Sequence, residues 1–147
     1  MLTRTTPIPK EFARQLLAYE ETAGELAEAN DSSAFRVCEK LRGPLGKILG
    51  VGGFRSLLSR ALALTCGEVS WLCALQVKAD GTLEGLNELE AKLDPRAITE
   101  GEAVLVGELL GLLVIFIGPA LTLQLLHGIW PEWTIEVFET EEHHAKK

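Results

Sequence analysis

The sequence predicts an all-α fold, a compact bundle of about five to six helices, and three observations carry that reading. Leu and Ala dominate a chain that is 47% hydrophobic and only 6% aromatic, and both residues favour helix. From Phe54 to Leu75 the apolar positions recur at the i, i+3, i+4, i+7 spacing of one helical face. The run from Leu109 to Pro131 carries no Asp, Glu, Lys or Arg, so it must escape water as a buried helix or as a membrane span. With 147 residues and 16.0 kDa the chain suits one domain, 1–147, large enough for a real core. No internal repeat is visible, which excludes a solenoid.

Pro7 and Pro9 make residues 1–9 an extended lead-in. Phe12, Leu16, Leu17, Tyr19 and Leu26 then fall near helical spacing with carboxylates between them, predicting an amphipathic helix over 10–29. Asn30, Asp31, Ser32 and Ser33 form a break rich in capping residues. Phe35, Cys38 and Leu41 predict a short helix ending near Gly43, and Pro44 opens another turn that Gly50, Gly52 and Gly53 close. The strongest periodicity predicts a helix over 54–78. A β-hairpin around Asp80-Gly81 ranks second to that helix. Leu83, Leu86, Leu89 and Leu93 mark a short helix stopped by Asp94-Pro95. Thr99 with Glu102 reads as a capping box that starts the last long helix, which Pro119 should kink and Gly128 should end. Trp133, Ile135 and Val137 alternate with polar residues, so 132–147 is expected to be an extended or solvated tail.

The choice for 109–131 falls on a soluble buried helix. Gly111, Gly118, Pro119 and Gly128 interrupt the run, and only Leu109 to Leu123 is cleanly apolar, short for a span. Glu100, Glu102 and Glu108 precede it and Glu132 and Glu136 follow it, so no cationic anchor flanks it. The N-terminal MLTRTTPIPK lacks the basic and apolar blocks of a secretion signal, and a cytoplasmic location is expected. Cys38, Cys66 and Cys73 are three, without CxxC spacing, so no disulfide framework is expected. Cys66 and Cys73, seven apart on the predicted helix, share a face and are expected in the core.

No catalytic constellation emerges, and the expectation is a protein that is not an enzyme and uses no cofactor or metal. His127 lies where an imidazole caps a helix C-terminus, and His143 and His144 sit in the polar tail. Cys66 and Cys73 without a third ligand make a poor zinc site. Glu88, Glu90, Glu100, Glu102 and Glu108 have no ExxH pair to complete a di-iron bundle and read as solvated faces and caps. Glu68 and Glu108 interrupt apolar helices and require a partner if buried, for which Arg55 or Arg60 is the candidate.

Charge is uneven on this chain of net charge −7. Residues 36–60 hold Arg36, Lys40, Arg42, Lys47, Arg55 and Arg60 against Glu39 alone, amid Gly43, Gly46, Gly50, Gly52 and Gly53. Glycine-rich helix openings bind anions, yet Gly46-Lys47 is followed by Ile48, so no P-loop is present. An acidic chain with few aromatics also lacks the footprint of a nucleic-acid binder.

At CEKLRGPLGKILGVGGFRSLLSRALAL and GELLGLLVIFIGPALTLQLLHGIWP the chain resembles a group of short, uncharacterised bacterial helical proteins. That resemblance implies no activity, cofactor or site residue.

The expected function is therefore a non-enzymatic interaction or self-associating protein, an adaptor or regulator whose partner is another protein or a second copy in a homo-oligomer. Its expected contact surface is Trp71, Trp130 and Trp133, rimmed by Arg42, Arg55 and Arg60. One alternative is a helical module that takes a small apolar or acidic ligand in a pocket near Gly118-Pro119, with Arg55 or Arg60 on its head group. A second is membrane attachment through Leu109–Leu126.

Overall fold

The computed structural model describes residues 10–24 and 33–133. It is all-α, as the composition and periodicity predict, with one small hairpin. The elements are α1 (Lys10–Gly24), α2 (Ser33–Cys66), a 3-10 turn (Ser70–Ala74), β1 (Gln76–Val77), β2 (Leu83–Glu84), α3 (Leu86–Glu90), α4 (Pro95–Ile117) and α5 (Pro119–Ile129). The predicted extension of α1 to residue 29, the lead-in 1–9 and the tail from residue 134 lie outside the described residues.

The helix α4 is the axis of the molecule and packs against both α1 and α2. Every residue from Gly101 to Gly107 is buried, then Leu109 to Leu113. A helix covered all round needs small residues where neighbours come closest, and Gly101 supplies one under the Trp71 indole. The helix α1 contributes Ala13, Leu16 and Leu17, and α2 contributes two stripes, Val37, Leu41 and Leu45, then Phe54, Leu57, Leu58 and Ala61.

Four sequence expectations are corrected. The break predicted at Gly43 is absent, because Pro44 is accommodated within the helix, and α2 continues to Gly50, where φ 83 and ψ 159 break its direction. That conformation belongs essentially to glycine alone. The consequence is visible at Gly81, where an added Cβ would lie 3.0 Å from Phe54 Cδ2 and 3.3 Å from Arg42 Cδ. In a straight helix, positions 42 and 54 stand about 18 Å apart, so both limbs reach one point only because the helix folds at Gly50.

The second correction concerns 54–78, where α2 ends at Cys66 rather than Lys78. Thr65 and Gly67 are weak helix formers at that point. The chain turns as Glu68 and Val69 N–H both donate to the Thr65 carbonyl at 2.9 Å. The hairpin ranked second is the one that forms, with β1 antiparallel to β2, Gln76 opposite Glu84 and Val77 opposite Leu83. Gly81 at φ 89 closes its loop, with Gly81 N–H donating to Lys78 O at 2.9 Å and Thr82 N–H to Asp80 Oδ1 at 3.0 Å.

Third, Leu83 belongs to β2, which leaves Leu86–Glu90 as the short helix α3. Fourth, α4 starts at Pro95 instead of Thr99. Asp94 Oδ1 accepts from Arg96 N–H at 3.1 Å and Pro95 occupies the first turn, so the dipeptide read as a stop is a start. Thr99 Oγ1 donates to Pro95 O at 3.0 Å and caps nothing. The kink predicted at Pro119 is a full break at Gly118, φ 88 and ψ 158, the same glycine-only backbone as at Gly50.

Candidate functional site

Two features are candidates: a buried ionic clasp at one end of the bundle, and two apolar elbows at the helix breaks. The clasp grows from α1, whose buried stripe of Ala13, Leu16 and Leu17 continues at the next helical step with Glu20, 1% exposed. A carboxylate there requires donors. Arg36 and Lys40, one turn apart on α2, supply them. Arg36 Nε donates to Glu20 Oε1 at 3.2 Å, and its Nη2 to the Glu20 carbonyl at 2.9 Å. Lys40 Nζ donates to Oε2, which also accepts from Trp130 Nε1 at 2.7 Å. Lys40 Nζ also stands 6.0 Å from the centroid of the Trp130 ring, at the limit of a cation–π contact. Burial pushes the Glu20 carboxyl upward, but the Lys40, Trp130 and Arg36 hydrogen bonds and the Lys40 charge outweigh it and hold the group below its ordinary value. The clasp joins α1, α2 and the end of α5, so it serves cohesion.

The expected contact surface is redistributed by the structure. Trp130 and Trp133 are 2% and 3% exposed and are corrected to core residues. Trp130 completes the clasp, and Trp133 packs edge to face on Phe12 with centroids 5.0 Å apart. Trp71 is half-buried. Its indole lies over Gly101 and its Nε1 donates to Ala97 O at 3.3 Å. Arg42, its side chain 37% exposed, donates to Glu39 Oε1 at 2.8 Å and to the Asp80 carbonyl at 3.5 Å, while Arg55 and Arg60 are exposed on α2. Glu68 lies in the exposed turn after α2 and needs no buried partner. The structure therefore brings Arg42 to the hairpin and Trp71 to α4, but assembles no single patch from the six.

Two of the carboxylates expected on solvated faces and caps are instead drawn inward, one from each of two helices. The side chains of Glu90 on α3 and Glu102 on α4 lie close enough to interact. Burial raises the Glu90 carboxyl above its ordinary value, and the Glu102 side chain offsets only part of that. Glu102 is buried and Glu90 half-buried. Cys38, fully inside, has its thiol pushed up to about 12 by burial and by the nearby Glu39 and Glu102 charges, so it is inert. Among the described residues no group of three or more His, Cys, Asp or Glu is placed to hold a metal ion.

The elbows are the second feature. Among the described residues, six of the seven exposed large apolar ones flank the two glycine breaks. Ile48 and Val51 stand beside Gly50 at 46% and 54% exposure, and Ile115, Phe116, Leu121 and Leu123 stand beside Gly118 at 65%, 57%, 39% and 44%. The breaks cause the exposure, since a helix that changes direction leaves its neighbours' cover while its sequence remains apolar. The expected buried helix 109–131 is thus continuously buried only over Leu109–Leu113, with Thr122, Leu126 and Trp130 buried singly beyond the break. Among the described residues one helix, Ser33–Cys66, is long and apolar enough to cross a membrane by length and composition, with 33% of its most apolar part buried and the Gly50 break inside it.

A cleft lies away from Gly118-Pro119, between the end of α2 and the 3-10 turn. It encloses about 260 Å³ and is lined by Leu62, Leu72, Leu75 and Val77 with Ser59 and Gln76. Cys66 and Cys73 form its rim, and they are joined in a disulfide with Cα atoms 4.8 Å apart. This corrects the expectation of two packed thiols on one helix. Once α2 stops at Cys66, the turn at 67–69 brings residue 73 back beside it.

No protein-family model, curated protein or solved structure matches this chain.

Proposed function

We propose that this chain is a non-enzymatic helical interaction protein whose primary partner is a second copy of itself, engaged through the elbow where α4 meets α5. The carrying observation is the exposure of Ile115 and Phe116, at 65% and 57%, inside the one long stretch that holds no charged residue. Exposed apolar side chains gathered at one place mark contact surfaces, whereas single ones do not. The identity of the partner follows from charge. A chain of net charge −7 carries a net repulsion toward its own copy, and the elbow, set in a stretch without Asp, Glu, Lys or Arg, adds nothing to it. Arg55 and Arg60, exposed on α2, and the apolar pair Ile48 and Val51 extend the same reading to the second elbow.

Light scattering behind size exclusion tests this on untagged protein prepared without detergent. The wild type is expected to run as a dimer or larger species, and the double substitution Ile115→Ser with Phe116→Ser as a monomer with an unchanged far-ultraviolet spectrum. A wild-type monomer at tens of micromolar, a concentration where about 8 kcal/mol of association would already hold a dimer, refutes the proposal. Protein that extracts only with detergent would transfer the elbow to a membrane instead.

A further inference from the structure

The Cys66–Cys73 disulfide combines three properties that a purely structural bridge does not need together. It is accessible, since Cys73 is exposed and Cys66 half-buried. It closes a short loop of sequence separation 7, so by chain entropy it contributes less than a bridge closing a long loop would. It also borders the 260 Å³ cleft, whose floor is Leu62, Leu72, Leu75 and Val77. The segment carrying Cys73 has its own anchors on either side of that residue's neighbourhood. Leu72 is 1% exposed in the core, Trp71 packs on Gly101 and donates to Ala97 O at 3.3 Å, and Leu75 is buried. Opening the bridge therefore removes a covalent tie from a segment that packing still holds.

We infer that Cys66–Cys73 is a reversible thiol–disulfide exchange centre, opened by a dithiol reductant that enters from the Cys73 side and closed again without unfolding of the bundle. The chemistry balances over two steps. A thiolate of the reductant attacks Cys73 Sγ, forming a mixed disulfide as the Cys66 sulfur leaves with the electron pair and takes up a proton. The second thiol of the reductant then attacks its own sulfur in that mixed disulfide, releasing Cys73 as a thiol. The protein gains two electrons and two protons, and the dithiol becomes a cyclic disulfide. Cys38 takes no part, because it is buried away from the pair as a high-pKa thiol. The centre is thus self-contained, and the cleft beside it, which offers Ser59 and Gln76 along with apolar side chains, is the surface on which a thiol-bearing partner would rest its flanking residues.

The test uses the native full chain in buffers of oxidised and reduced dithiothreitol, followed by maleimide labelling, intact mass and far-ultraviolet circular dichroism. In oxidised dithiothreitol no label is expected without denaturant. In reduced dithiothreitol two labels are expected with the helical signal retained, and a return to oxidised reagent should abolish both. Cys38 should accept a third label only in urea. The variant Cys73→Ser should show one label at Cys66 in either buffer. Equal labelling of Cys66 and Cys73 in both buffers would mean that the bond does not form. Resistance to reduction until urea is added, or loss of helix on reduction, would mean a structural bridge. Any of these three results overturns the inference.

Discussion

Replacing Glu20 with Ala removes the acceptor on which α1, α2 and α5 converge, and the structure allows its cost to be worked out. The indole Nε1 of Trp130, on a residue 2% exposed, loses its partner at 2.7 Å and is left as a buried donor, worth about 2 kcal/mol. The Arg36 bond is charge-assisted and its side chain is only 18% exposed, so its loss costs about 1.5 kcal/mol. Lys40 is 45% exposed and regains water, which limits its share to about 0.5 kcal/mol. The Arg36 bond to the Glu20 carbonyl survives the substitution. The whole effect is about 4 kcal/mol, a large part of the 5–15 kcal/mol typical of a domain. In urea this lowers the unfolding midpoint by about 2 M at a slope of about 2 kcal/mol per molar. The sign with pH follows from the direction of the shift. A carboxyl held below its ordinary value stabilises the fold above the unfolded-state value and ceases to do so as pH falls through the folded one. The gap between wild type and Glu20→Ala should therefore be widest near pH 7 and narrow on acidification below the ordinary glutamate range. Urea curves followed by circular dichroism at both ends of that range measure it. A difference under about 1 kcal/mol at pH 7, or one that does not narrow in acid, would refute the reasoning.

Three other predictions follow from the same geometry. Gly101→Ala places a Cβ 2.7 Å from Trp71 Cε2, and should cost about 1–3 kcal/mol by overpacking, with a shift in tryptophan fluorescence on the folded protein. Glu90→Gln removes a carboxyl whose folded value is raised. Since such a group favours the fold below its unfolded value and opposes it as pH rises through the folded value, the variant should melt higher than wild type at pH 8 and no higher at pH 4 in a thermal scan. Cys73→Ser should lower stability by roughly 2.5 kcal/mol under oxidising conditions on the chain-entropy account, and by almost nothing relative to wild type in reduced dithiothreitol, measured by urea unfolding.

The all-α class and the buried start of the charge-free run were determined by the sequence, because apolar spacing and helix propensity act over a few residues. The stripes Leu16–Leu17 and Phe54–Leu58 are core in the structure as their spacing requires, and the charge-free run is buried over Leu109–Leu113. Glu20 was also legible in principle, as the next position on the Ala13, Leu16, Leu17 stripe, with Arg36 and Lys40 as a matched pair one turn apart. Its acceptance from Trp130, far along the chain, was not, since nothing local relates residues so distant in sequence. The same reason moves Trp130 and Trp133 from surface to core, as a lone tryptophan looks alike in both settings until its neighbours are known.

Local competition was resolved by tertiary contacts. Asp94-Pro95 is chemically fit to end a helix or to begin one, and its place at the head of α4 made it a start. Gly50 and Gly118 were visible as glycines, but only the folded chain put both into a backbone that no other residue adopts readily. Many glycines here, Gly52 and Gly53 among them, stay helical. Those two breaks decide which apolar residues are covered and which stand exposed at the elbows, while the turn after Cys66 brings two cysteines together. Spacing along the chain determines which face of a helix is apolar. What covers that face depends on where the helices bend, and that is settled by packing across the whole chain.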